Sequence, residues 1–317
     1  TAWIIAAVVA AMIYPAAFLK WGELDLRNKW VVLGVVQMVM FGMGTQMSTK
    51  DFVGVMKMPW GVFVAVGCQF LIMPLTGFVL IKVFTLPPEI AAGVILIGSC
   101  SSGLASNVMC YLARANLALS ITATSITTLI APLMTPLWMK VLAGTLVEVK
   151  FTNMMLEIVK IVIVPIAAAM IHDHLKEADP AAKRRWSIAG TCAAAFVAGL
   201  LVFSRSEPLA SLPASTWMWV ELAGFGAGAV VAGLAYHRLT LWLPQLPGFM
   251  PFLSMAGIVY FTTVTTAAGR NNLLLVGGVL FLVAVLHYCA GYFFGYWLAR
   301  LAVLDRPSCR SVAIEVG

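Results

Sequence analysis

The chain has 317 residues, 62% of them hydrophobic and only 10% charged, with a mean hydropathy of +0.96. Soluble domains carry about 45–50% apolar and about 25% charged residues, so a soluble globular domain, a disordered chain and a basic nucleic-acid reader are excluded. The net charge of +7, from 20 Lys and Arg against 13 Asp and Glu, sits between long apolar runs, as in a polytopic membrane protein whose constant partner is the lipid bilayer.

A transmembrane helix needs about 20 mainly apolar residues, which leaves room for about nine or ten spans. In chain order the apolar runs predict spans at about 2–19, 30–48, 59–84, 89–112 and 117–143. The second half adds about 152–172, 187–204, 215–236, 250–268 and 272–301, and a last segment begins near Pro307. The fourth span is unusual. Its apolar start, Ala91 to Ile97, runs into Gly98-Ser99-Cys100-Ser101-Ser102-Gly103 and then Ser106-Asn107. Small polar residues there predict an interrupted helix, tolerated only where backbone faces protein or a water-filled cavity. The six cysteines lack CxxC spacing and read as small hydrophobes rather than disulfides or metal ligands. Lys176, Lys183, Arg184 and Arg185 cluster in one loop, which the positive-inside tendency makes cytoplasmic, and alternation then puts the N-terminus on the same side.

Several motifs occur in one order: Met40-Phe41-Gly42-Met43-Gly44, Gln69-Phe70 with Met73-Pro74, Gly98 through Asn107, Tyr111-Leu112-Ala113, Leu119-Ser120, and Pro132 to Pro136. Others follow at His287, Gly291-Tyr292, Gly295-Tyr296, Ala299-Arg300 and Ile314-Glu315-Val316-Gly317. Together they resemble the bile acid:sodium symporter family over about residues 1–170 and 250–317. The resemblance implies an all-α, inverted-repeat transporter fold with panel and core domains, whose two broken helices cross at mid-membrane. It divides the chain into panel helices at 1–58, core helices at 59–143, a panel helix at 144–172, a basic loop with an added two-helix hairpin at 173–249, a panel helix at 250–271, and core helices at 272–317. The family motif continues beyond E-V-G as M-Q-N, so the rest of that helix and one more helix are expected after Gly317. The pair of added spans, 187–204 and 215–236, keeps every later helix in its family orientation and is expected at the periphery of the panel.

A sodium ion wants about five or six oxygens, as other hard cations do, and polar residues inside a membrane are functional candidates because they are costly there. Ser106 and Asn107 stand at the break, Ser120 and Thr124 share a helix face at i, i+4, and Glu315 supplies a negative charge. Residue by residue they match the family's first sodium site. Gln69 and Glu315, with the carbonyl of Val316, match part of the second. Taken singly, each has a plainer reading: Ser and Thr bond to the preceding turn, Gln69 joins helices, and Asn107 caps a half-helix. Ser102, Gly103 and Leu104 occupy the stretch the resemblance makes substrate-facing; against the family's C-P-G-G-T-A-S-N, the Pro and one Gly have become Ser101 and Ser102 and the Thr has become Leu104.

The implied activity is sodium-coupled symport of an organic anion, such as a bile acid or another carboxylate or sulfonate, by alternating access in the cytoplasmic membrane. Sodium is the coupling ion and no cofactor is implied. The alternatives are a proton-coupled carrier using Glu315 or His287, and a non-transporting sensor of the same fold. His287 reads first as an interhelical hydrogen-bonding residue, Lys160 as pairing locally with Glu157 or snorkelling, and Glu221 as pairing or facing a polar neighbour. P-loop, HExxH, GxSxG and dinucleotide-binding fingerprints are missing, so ATP-driven transport and hydrolase chemistry have no support.

Overall fold

The computed structural model describes residues 2–21, 24–48, 56–203 and 213–317. Residues 49–55, at the end of the first predicted panel group, residue 204, and the side chain of Leu104 lie outside the described residues. The protein is all-α: α1 (Ala2–Ile13), α2 (Lys29–Gly44), α3 (Pro59–Phe84), α4 (Pro88–Ser99), α5 (Leu104–Leu112), α6 (Leu117–Trp138), α7 (Phe151–Ile158), α8 (Val164–Glu177), α9 (Pro180–Phe203), α10 (Ala214–Trp242), α11 (Leu246–Leu301) and α12 (Arg306–Val316). One antiparallel pairing of two-residue strands, Lys20–Trp21 with Leu24–Asp25, joins α1 to α2. Among the described residues seven helical stretches are long and apolar enough to cross a membrane, and three shorter apolar helices accompany them.

Helix starts follow local chemistry. Proline begins α3, α4 and α9, where its missing N–H costs nothing. Asn28 caps α2 by accepting from the Trp30 amide at 2.9 Å, and Asn116 caps α6 by accepting from Leu119 at 3.2 Å. Single π-turns follow α6 (Met139–Ala143) and α7 (Val159–Ile163). The predicted break near residues 269–271 is not there. Helical structure continues through Gly269-Arg270-Asn271, so α11 carries two candidate spans, Leu246–Asn271 and Leu273–Leu301, in one uninterrupted helix. Polar residues at a span boundary do not by themselves end a helix, and this junction has no proline.

The chain divides into two compact units, Thr1–Thr49 with Val159–Leu273, and Lys50–Ile158 with Leu274–Gly317. In the first unit, close approach rests on small residues. A Cβ on Gly42 would lie 2.1 Å from Ser254 Oγ, and one on Gly233 would lie 2.5 Å from the Ala168 carbonyl. Arg270 Nε donates to the Met12 carbonyl at 2.7 Å, and Tyr260 donates to Leu26 O at 2.7 Å. Here α10 packs on α8 and α9 packs on α10, with no buried residue in the most apolar window of α9. Across helices, the Lys160 ammonium lies 3.2 Å from Glu221 Oε2 on α10, which gives Glu221 the polar partner expected of it.

The second unit has two apolar clusters. One gathers Ala65, Cys68, Ile72 and Met73 of α3 with Leu119, Ala123, Ala299, Val312 and Val316. The other joins Ile81, Ile95, Met139 and Val283, with Leu146, Val149 and Met154 packed on it. That packing draws residues 144–158 into this unit, whereas the sequence reading grouped 144–172 together. Three cysteines, Cys68, Cys110 and Cys309, are buried; Cys100, Cys192 and Cys289 are exposed, and none is disulfide-bonded.

Candidate functional site: a buried carboxylate ringed by oxygens

The site lies within the second unit. Between α4 and α5 the backbone is extended at Cys100 and again at Gly103, which leaves helix-end carbonyls to be satisfied from outside. Neighbouring helices do this. Thr135 on α6 donates to Ser99 O at 2.7 Å, and Gln69 Nε2 on α3 donates to Cys100 O at 3.0 Å. Two glycines make the approach possible: a Cβ on Gly98 would meet Met73 O at 2.5 Å, and one on Gly77 would meet Val94 O at 3.3 Å. Pro74 lies inside α3 beside this point, and His287 Nε2 lies 2.8 Å from the Met73 carbonyl.

The first turn of α5 presents Ser106 and Asn107. One turn of α6 presents Ser120 and Thr124. The last turn of α12 brings Glu315 between them, only 5% exposed. Ser106 Oγ donates to Glu315 Oε1 at 2.8 Å, Thr124 Oγ1 donates to Oε2 at 2.9 Å, and Ser120 Oγ also bonds to Oε1. Ser120 and Thr124 reach Asn107 Oδ1 as well, at 2.7 and 3.3 Å. Ser106 has a further acceptor in Gly103 O at 2.6 Å, and Ser102 Oγ donates to Ser106 Oγ at 3.3 Å. A latch holds α12 in place: Ser311 Oγ donates to Asn116 O at 2.8 Å, and Asn116 Nδ2 donates to Ser308 Oγ at 3.1 Å.

The proton count matters here. Each hydroxyl owns one proton, yet Ser106, Ser120 and Thr124 each face two acceptors, so the cluster has more oxygen acceptors than protons. Hydrogen bonds to a charged group contribute about 1.5–3 kcal/mol each, against a burial penalty of several kcal/mol for a carboxylate. Glu315 also sits at the C-terminal end of α12, where the helix dipole disfavours a negative charge, while the N-terminal end of α5 favours it. Among the described residues Glu315 has no ion pair with Lys, Arg or His. A small cation that accepts lone pairs would complete this arrangement.

The structure thus brings Ser106, Asn107, Ser120, Thr124 and Glu315 into one cluster. Gln69 and Val316 are both buried, on packed helices α3 and α12, but among the described residues no hydrogen bond joins Gln69 to Glu315 or to Val316. Gln69 Oε1 is buried with no hydrogen-bond partner. Ser102 and Gly103 turn their oxygens toward Ser106. Sequence reasoning missed the supporting residues Ser99, Thr135, Asn116, Ser308 and Ser311. Their visible signals were hydroxyls within helices for the four Ser and Thr residues and, for Asn116, a helix-capping side chain ahead of an apolar run. It also missed a pair in the first unit, His172 and His237, whose Nδ1 atoms are 3.3 Å apart.

Spans of this length, with a buried, oxygen-ringed carboxylate on neighbouring helices, mark an integral membrane protein. Residues 33–211 match the model of the Sodium Bile acid symporter family, and the chain belongs to that family, whose members are transporters rather than enzymes. The match ends between α9 and α10, so α9 lies inside it and α10 outside. The chain is similar to the uncharacterized sodium-dependent transporter YocS of Bacillus subtilis (strain 168), 31% identical over 315 residues, covering 99% of this chain and 76% of that protein. It is 26% identical to the probable sodium/metabolite cotransporter BASS1, chloroplastic, of Arabidopsis thaliana, over 99% of this chain and 61% of that protein. It is 29% identical to the human ileal sodium/bile acid cotransporter, over 89% of this chain and 64% of that protein. The chain therefore spans less than two thirds of the length of these last two relatives.

Proposed function

We propose that the protein is a sodium-coupled symporter of an organic anion that works by alternating access, with the first unit as panel and the second as core. The observation that carries this reading is the convergence of Ser106, Asn107, Ser120 and Thr124 on buried Glu315. Sodium brings charge without protons, so the hydroxyls can rotate their lone pairs toward it while Glu315 balances its charge. These five residues form the first ion site. Gln69, Glu315 and the carbonyl of Val316 contribute to a second, a reading supported by the unpartnered Gln69 Oε1.

Two relatives are named for bile acid and for metabolites, which supports an anionic organic substrate. The positive N-terminal end of α5 suits a carboxylate or sulfonate, with Ser102, Gly103 and Leu104 on the substrate side. The protein resides in the cytoplasmic membrane with its N-terminus on the cytoplasmic face.

The test is uptake of a labelled bile salt into proteoliposomes holding the full-length protein. An inward sodium gradient should drive accumulation and a proton gradient alone should not. Accumulation driven by protons in sodium-free buffer would favour the proton-coupled carrier. Sodium-dependent substrate binding in detergent with no flux under either gradient would favour a sensor.

A further inference from the structure

The first unit contains a cavity of about 710 Å³ bounded by α2, α8, α9 and α10, remote in sequence from every residue of the proposed ion sites. Its volume falls within the range of small-molecule sites, about 300–1,000 Å³. Among the described residues, Gln37 and Glu221 are the only polar side chains in its lining apart from the indoles of Trp30 and Trp217.

The space is shaped by α10. Gly224, Gly228 and Ala232 recur at successive turns of its cavity wall. A Cβ on Gly228 would meet no atom within 4 Å, while one on Gly224 would approach Leu200 Cδ1 at 3.0 Å. Glycine weakens a helix relative to alanine, so α10 gives up helix stability at the positions where a larger side chain would close the cavity.

The polar wall narrows the ligand's head. Lys160 and Glu221 are ion-paired at 3.2 Å, but they are not equally accessible: the Lys160 side chain is 8% exposed and that of Glu221 is 41% exposed. The Lys160 ammonium is set back, 5.9 Å from the Phe225 ring centroid, and the carboxylate lines the cavity. An anionic head would face that carboxylate, and a cationic head would compete with the Lys160 ammonium that already holds it. A hydroxyl donates to the carboxylate without either cost. We propose that this cavity binds an uncharged single-chain lipid with a hydroxyl head, a long-chain alcohol or monoacylglycerol, its chain lying along the Gly–Ala face of α10 and its hydroxyl donating to Glu221.

Trp30 and Trp217 in the wall make the site readable by fluorescence. The full chain in nanodiscs is titrated with a long-chain alcohol brominated along its chain, which quenches tryptophan on contact. Saturable quenching is expected, reduced in Trp30→Phe and Trp217→Phe and lost in Gly228→Phe, which fills the cavity. Gly226→Phe is expected to quench like wild type, because Gly226 is outside the lining and its Cβ would also meet open space. Should Gly228→Phe fail to fold, Ala232→Trp fills the same wall and carries the same expectation. Quenching that rises linearly with lipid mole fraction, or that persists in the filled variant, overturns the site. Tighter binding of the brominated fatty acid or alkylamine than of the alcohol overturns the hydroxyl head.

Discussion

Ser120 and Thr124 stand one turn apart on α6, and each hydroxyl reaches both the Asn107 amide oxygen and the Glu315 carboxylate. Two helix segments distant in sequence, the start of α5 and the end of α12, are therefore tied to α6 through the same pair of hydroxyls. A cation bound at that junction would bear on all three helices at once, which is what coupling ion binding to helix movement requires.

Glu315→Gln keeps the side chain's shape and removes its charge. In detergent, sodium should no longer raise the melting temperature of the full-length protein. A ligand stabilises by about 2.7 kcal/mol at a hundredfold excess over Kd, so the wild-type shift is readily measured. A mutant that retains the wild-type sodium shift rejects Glu315 as an ion ligand.

Asn107→Ala and Thr124→Ala should each weaken sodium, and their effects should not add. Groups sharing one ligand interact by about 0.5–3 kcal/mol in a double-mutant cycle. If the residues only cap and pack helices, both mutants lose thermal stability while sodium affinity, read by isothermal calorimetry, stays at the wild-type value.

Glu221→Leu removes the carboxylate from beside the buried Lys160 ammonium. Loss of one partner of a fully buried pair costs about 3–5 kcal/mol; the partial exposure of Glu221 lowers the expected loss to about 1–2 kcal/mol. Lys160→Met combined with Glu221→Leu should recover part of the thermal stability, because the ammonium left beside the missing carboxylate is removed with it. A double mutant less stable than Glu221→Leu alone contradicts this account.

Gly98→Ala places a methyl 2.5 Å from the Met73 carbonyl, a backbone atom that cannot turn aside. Overpacking of this kind costs about 1–3 kcal/mol. Gly93→Ala, on the same helix with nothing within 4 Å of its Cβ, should instead leave the melting temperature unchanged or raise it. Equal melting temperatures for the two variants would remove the steric argument for α4 against α3.

Hydropathy and proline placement determined most of the helices, because a bilayer demands continuous apolar runs and Pro59, Pro88 and Pro180 mark where helices begin. Interruption near residues 98–107 was legible from the density of small polar residues there, and the i, i+4 spacing of Ser120 and Thr124 already put their hydroxyls on one face. The rest was decided by tertiary structure. That Glu315 enters the same cluster as residues some two hundred positions earlier depends on α12 being latched to Asn116 through Ser308 and Ser311, a contact with no periodicity to announce it. That the Lys160 ammonium lies beside Glu221 of α10 was set by helix packing, and α11 ran on through its polar junction because nothing there withdraws a backbone hydrogen bond. Local spacing specifies which face of a helix a residue occupies; only packing decides which other helix that face meets.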